Sequence, residues 1–235
     1  MRAFSLEIAR FEWHLPRMEN TKIALVTGAS RGIGAALAEE LAARGWHVVA
    51  VARTLGALEE LDDRIKARGG SATLAAMDVT IDDAMRHLCR DIHDRWGSVG
   101  LWVHSAIQAP PLSPASHIAI KEWDKALKVN ARAPGVLIPM IAPLLAASPD
   151  KGTVLFLNDP AAETRFHSAY GATKLAQMAL ARAWADESVK TGPRVMVETC
   201  APMPTALRAR FHPGENRDAL TPCATEAARL ADLIG

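Results

Sequence analysis

A strand, a glycine-rich turn and a helix follow one another near the beginning of the chain. The apolar run 23–26 predicts a short buried strand, and the residues after Gly34 are helix formers with apolar side chains at helical spacing. The turn between them reads Thr27-Gly28-Ala29-Ser30-Arg31-Gly32-Ile33-Gly34. Glycines at such a turn let the backbone approach a phosphate group, and the helix N-terminus offers free N–H donors. The pattern predicts an α/β fold with a nucleotide-binding turn.

Strand-like and helix-like segments alternate along the rest of the chain. This alternation predicts a doubly wound, Rossmann-like parallel sheet of about six strands with helices on both faces. The predicted strands are 23–27, 47–52, 72–77, 101–105, 154–157 and 195–199, and the predicted helices between them include 57–67, 81–95, 121–146 and 169–188. Pro134, Pro139 and Pro143 should kink or break the helix 121–146. One edge of such a sheet needs cover, which favours a homodimer or homotetramer.

Composition and charge narrow the possible partners. The formal net charge of +1 and the lack of a basic stripe argue against nucleic acid and anionic membranes. We find no apolar run of membrane-spanning length and no residue spacing that predicts a metal site. Cys89, Cys200 and Cys223 are interpreted as reduced thiols, so the cytoplasm is expected. Residues 1–20 are interpreted as an N-terminal extension, disordered or upstream of the true start, and residues 21–235 as one domain.

A second motif, Tyr170-Gly171-Ala172-Thr173-Lys174, contains the only tyrosine of the chain. On a helix, Tyr170 and Lys174 share one face. An ammonium group beside a phenol favours the phenolate, so we expect a lowered pKa for Tyr170. Such a tyrosine can exchange a proton with a carbonyl oxygen while a nicotinamide exchanges a hydride.

The glycine turn and the Tyr-x-x-x-Lys motif together resemble the short-chain dehydrogenase/reductase family. The resemblance implies a carbonyl or alcohol substrate of small size, with Tyr170 as general acid/base and Lys174 lowering its pKa. It also implies that Asn130 holds a water that links the lysine to solvent. Residues 205–213 loosely resemble a YciK-type bacterial subgroup. The residues expected to bind the cofactor are Gly28, Ser30, Arg31, Gly32, Ile33, Gly34, Arg53, Asp78, Val79, Ser105, Ala106, Tyr170, Lys174, Pro202 and Thr205.

Two arginines favour NADP(H) over NAD(H) as the cofactor. A site for NAD would place Asp or Glu at the end of the second strand to bind the ribose 2′-hydroxyl. Here that strand ends with Ala52-Arg53, and Arg31 lies within the glycine turn. Two guanidinium groups can bind a 2′-phosphate.

The serine that the resemblance places after the fifth strand is missing, and Asp159 occupies its position. An anionic aspartate cannot donate a hydrogen bond to the substrate oxygen, so Asn158 could take over, or Asp159 could be held protonated. Ser168 is a poorer candidate, and Ile107 replaces a family glycine and is expected to narrow the cofactor site. The expected function is NADP(H)-dependent reduction of a carbonyl compound. The alternative is a catalytically impaired NADPH-binding protein that acts as a sensor or partner subunit.

Overall fold

A single parallel sheet runs through the part of the chain that the structure, a computed structural model, describes, residues 22–235. Its strands are β1 (Ile23–Thr27), β2 (His47–Ala52), β3 (Ser71–Ala76), β4 (Leu101–His104), β5 (Thr153–Asn158) and β6 (Arg194–Thr199). Their spatial order is β3-β2-β1-β4-β5-β6, and each neighbouring pair is parallel. The predicted six-stranded doubly wound sheet is confirmed. The predicted extension 1–20 lies outside the described residues.

Helices cover both faces of this sheet. They are α1 (Gly32–Ala43), α2 (Leu55–Ala67), α3 (Asp82–Trp96), α4 (Ile120–Ala126), α5 (Ala133–Ala146), α6 (Ser168–Ser188), α7 (Ala206–Phe211) and α8 (Cys223–Ile234). The predicted strand and helix ends differ from the observed ones by one or two residues, which is the usual uncertainty at fraying termini.

Two apolar cores lie on opposite faces of the sheet because alternate side chains of a strand point to opposite sides. Ala24 and Val26 of β1 belong to the core beneath α1, α2 and α8. Ile23 and Leu25 belong to the other core, with Trp102 of β4 and residues of α3, α5 and α6. Since both faces are covered, the central strands are continuous apolar runs.

The proline-containing helix differs from the prediction. It runs without a break from Ile120 to Ala146, and its irregular part is a π-helical segment, Leu127–Arg132, that precedes the prolines. Pro134 lies at the start of α5, directly after the π-helical segment and inside the continuous helix. Because Pro134 has no N–H for the carbonyl four residues earlier, the carbonyl of Asn130 is open to another donor.

The same continuous helix corrects the expectation that the chain has no apolar run of membrane-spanning length. Of the helices within residues 22–235, this 27-residue run is long and apolar enough, by length and composition, to cross a membrane. Leu137, Ile141 and Leu145 on its inner face are fully buried in the core beside the sheet, and a buried core helix meets the same criterion.

Candidate active site

The glycine turn lies between the end of β1 and the start of α1. Gly28 and Gly32 have φ values of +89° and +58°, a region that favours glycine. A Cβ atom on Gly28 would lie 2.5 Å from the backbone nitrogen of Ala106, and one on Gly34 would collide with the Ser105 hydroxyl. No side chain caps the N-terminus of α1. The first N–H groups of α1 are therefore free to bind an anion, as a pyrophosphate site requires.

A cavity of about 350 Å³ opens at the carboxyl ends of the central strands, next to this turn. Ligands of doubly wound sheets bind in this position. Most of the cofactor residues expected from the sequence line it: Gly28, Ser30, Arg31, Gly32, Ile33, Gly34, Arg53, Asp78, Val79, Ser105, Ala106 and Thr205. Pro202, Tyr170 and Lys174 are not in this lining, whereas Ile107 and Arg210 are.

Two of the lining residues, Arg31 and Arg53, are exposed, and neither forms an ion pair within residues 22–235. Asp78 also lines the cavity, but its Oδ1 accepts hydrogen bonds from the backbone and hydroxyl of Thr80 at 2.9 and 2.8 Å. This side of the cavity therefore presents two guanidinium groups at the end of β2 and in the glycine turn. A phosphorylated ribose has the complementary charge.

The tyrosine of the second motif contacts Asp159 directly. Tyr170 lies in the first turns of α6, and its hydroxyl donates a hydrogen bond to Asp159 Oδ2 at 2.8 Å. Asp159 Oδ1 accepts from the backbone N–H of Ala161 at 3.0 Å and caps the short 3₁₀ turn Pro160–Glu163. Both carboxylate oxygens are thus engaged. Burial, followed by the charge and hydrogen bond of Asp159, raises the pKa of Tyr170, so the expected lowering by Lys174 is wrong.

The other candidates for the missing serine point elsewhere. Asn158 Nδ2 donates to Thr199 Oγ1 at 3.2 Å, across the pair β5–β6. Ser168 Oγ donates to the backbone carbonyl of Ser113 at 2.8 Å. Of these candidates, Asp159 is therefore the one that contacts the Tyr170 hydroxyl.

Lys174 and Asn130 are both buried and are linked by a third residue. Lys174 Nζ donates to Gln177 Oε1 at 2.6 Å, and Gln177 Nε2 donates to the Asn130 carbonyl at 3.2 Å. The Asn130 side chain is held by the backbone of Gln108, accepting from its N–H at 2.7 Å and donating to its carbonyl at 2.9 Å. Sequence reasoning missed Gln177, although a polar residue on the buried face of α6 was a visible signal.

A hydrophobic cover lies over the tyrosine. The Tyr170 ring is 3% exposed and packs edge-to-face against Phe211 of α7, with 4.9 Å between ring centroids. Leu207 and Ile107 pack against the same cluster. Ile107 also lines the cavity, so it contacts both the cavity and the cluster around Tyr170. Within residues 22–235, no group of three or more His, Cys, Asp or Glu could hold a metal ion.

Comparisons with known proteins point in one direction. The family model described as short chain dehydrogenase matches residues 22–216. An uncharacterized oxidoreductase of Listeria monocytogenes, Lmo0432, is 31% identical over 185 residues, covering 77% of this chain and 73% of its own length. The oxidoreductase yciK of E. coli superimposes with a TM-score of 0.85 at 26% identity, covering 91% of this chain and 89% of its own.

A further similar structure was solved with a nicotinamide cofactor bound. A protein from Escherichia coli, solved in complex with NADPH, has a TM-score of 0.84 and 25% identity. The match covers 91% of this chain and 90% of that one. The likeness thus extends over nearly all of both chains.

Proposed function

Because the chain belongs to the short-chain dehydrogenase family, an oxidoreductase family, we propose that it is an NADP(H)-dependent reductase of a carbonyl compound. The observation that carries this proposal is the glycine turn, which packs too closely against Ser105 and Ala106 to admit side chains and leaves the start of α1 without a side-chain cap at the cavity. A bound nicotinamide cofactor would supply the hydride. The expected cofactor residues that line the cavity would hold it, and the relative solved with NADPH supports this choice.

In this proposal the residues of the chain handle the proton. Tyr170 is the general acid that protonates the substrate oxygen. Lys174 and Asn130 are the other residues of this proton-transfer site. Asp159 opposes this step in two ways. Its Oδ2 already accepts a hydrogen bond from the Tyr170 hydroxyl. Its negative charge would also repel the negative charge that develops on the substrate oxygen. We therefore expect low activity at neutral pH.

The direct test is NADPH oxidation across a panel of aldehydes and ketones, with Tyr170→Phe as the control. The panel should include compounds with a carboxylate, because Arg210 of α7 lines the cavity near Leu207. Activity that Tyr170→Phe abolishes would support the proposal. The second candidate function is a catalytically impaired NADPH-binding protein, favoured by the Asp159–Tyr170 contact and by the cover over Tyr170. Firm NADPH binding without turnover, in the parent and in Asp159→Ser, would favour that function.

Cofactor choice gives a quantitative prediction. We expect NADPH to bind more tightly than NADH, because Arg31 and Arg53 face the cavity without carboxylate partners within residues 22–235. Each charge-assisted hydrogen bond to the 2′-phosphate should contribute about 1.5–3 kcal/mol. Calorimetric titration of the parent and of the Arg31→Ala, Arg53→Ala double variant measures this. Equal affinities for the two cofactors, or no loss of NADPH affinity in the double variant, would contradict it.

Two further expectations remain proposals. The cytoplasm is supported by Cys89, Cys200 and Cys223, which are free thiols in the structure. A homodimer or homotetramer is supported by the sheet within residues 22–235 ending in the edge strands β3 and β6, which a second subunit could cover. Light scattering of the purified protein measures the second.

A further inference from the structure

The side chain of Gln177 joins two elements that the sequence places far apart. It is 1% exposed and lies on α6, three residues after Lys174. Its oxygen accepts from the Lys174 ammonium group at 2.6 Å, and its nitrogen donates to the Asn130 carbonyl in the π-helical segment at 3.2 Å. One carboxamide therefore satisfies a buried cation and a buried carbonyl together.

Both of these groups need a partner. Lys174 is 6% exposed, and its ammonium group has three donors and no acceptor of its own. The Asn130 carbonyl cannot receive the usual helical hydrogen bond from residue 134, which is a proline. A buried polar group without a partner costs about 1–3 kcal/mol, and more if it is charged. Gln177 removes this cost at both ends.

We propose that Gln177 is a positioning residue for Lys174: its carboxamide bridges the Lys174 ammonium group and the Asn130 carbonyl and holds the lysine in place. The proposal deepens the function proposed above and rests on Lys174 belonging to that site. The amide oxygen can only accept and the amide nitrogen can only donate, so this arrangement fits one orientation of Gln177.

Titratable groups from four elements surround Lys174. Asp159, after β5, favours its charged form, whereas His104 of β4, Cys200 after β6 and Tyr170 of α6 are neutral around pH 8. Burial lowers the pKa of His104 to about 3 and raises that of the Cys200 thiol to about 12. Burial also lowers the pKa of Lys174 to about 8. A neutral amide as its acceptor agrees with this direction, because it adds no opposite charge.

The test is the pH dependence of stability, which needs no cofactor. Lys174 has a pKa of about 8 in the folded protein and 10.5 as its ordinary value. Between these values the unfolded chain binds more protons, so the free energy of unfolding should rise with pH, relative to Lys174→Met. Urea unfolding across this range measures the rise.

Two substitutions of Gln177 should shift the pH range of this rise in opposite directions. Gln177→Glu places a carboxylate on the ammonium group and should raise its folded pKa by about one to three units, so that the rise shrinks or vanishes. Gln177→Met keeps the volume but removes the acceptor, so the rise should begin at lower pH. In a Lys174→Met background, Gln177→Met should leave the pH dependence unchanged. Gln177→Glu should instead make stability fall as pH rises above about 4.3, because it is then a buried carboxyl without a cation.

Either variant alone decides the matter if the other does not fold. A loss of stability that is equal at every pH, with the pH range of the rise unchanged, would show that Gln177 only fills space and would overturn the proposal. Absence of NADPH binding or turnover would refute the proposed function instead, since the unfolding measurement does not depend on either.

Discussion

Tyr170→Phe should lower carbonyl reduction by about 10²–10⁴-fold, the usual contribution of a general acid/base. The substitution removes only the hydroxyl that donates to Asp159 and leaves the ring that packs against Phe211. NADPH affinity should change little, because phenylalanine keeps the ring in its contact with Phe211. Steady-state kinetics and calorimetric titration of the same preparations measure the two effects separately.

Lys174→Ala is the companion variant for this prediction. It should reduce turnover and weaken NADPH binding as well, because the resemblance gives Lys174 a contact with the nicotinamide ribose. Full activity in Tyr170→Phe would show that another group, with Asp159 the nearest candidate, supplies the proton.

Asp159→Ser should raise turnover by about 10²–10³-fold, the range that one hydrogen-bond donor contributes at an oxyanion site. Serine can donate to the substrate oxygen and can still accept from the Ala161 N–H, so the cap of the 3₁₀ turn survives. The same substitution should lower the pKa of Tyr170, because it removes a neighbouring charge and a hydrogen-bond acceptor. Tyr170 is the only tyrosine, so its phenolate absorbance reports this pKa directly.

Asn158→Ala is the matched control for that experiment. Its amide donates to Thr199 rather than to the tyrosine, so turnover and the Tyr170 titration should both stay near the parent values. Damage in Asn158→Ala, together with no gain in Asp159→Ser, would mean that the amide has taken over the work of the missing serine.

Local sequence signals predicted the parts of this structure that depend on neighbours along the chain. The glycine spacing identified the turn from Gly28 to Gly34, since a close backbone approach is a property of those residues themselves. The buried strands were readable from their apolar runs. The proline helix was misjudged because the π-helical segment before Pro134 depends on how the helix packs and on where the Asn130 carbonyl finds its donor.

Contacts between distant segments explain why the sequence-based predictions for the site were wrong or incomplete. The motif spacing showed only that Lys174 shares a helix face with Tyr170, whereas the group that bonds the tyrosine hydroxyl is Asp159, at the end of β5. Similarly, the role of Gln177 depends on a carbonyl of another helix. Neither pairing can be read from helical periodicity, because each depends on the way the sheet and helices come together.

The cover over Tyr170 has a consequence for the order in which two ligands can be added. Phe211 packs over the Tyr170 ring and covers it. Leu207 and Arg210 of the same short helix line the cavity beside the glycine turn. A cofactor in that cavity would touch α7 before any substrate reached Tyr170, so we expect an ordered addition with the cofactor first. Product inhibition tests this: NADP⁺ should compete with NADPH, whereas the alcohol product should inhibit noncompetitively against both substrates. Competition between the alcohol and the carbonyl substrate would show that α7 moves independently of the cofactor.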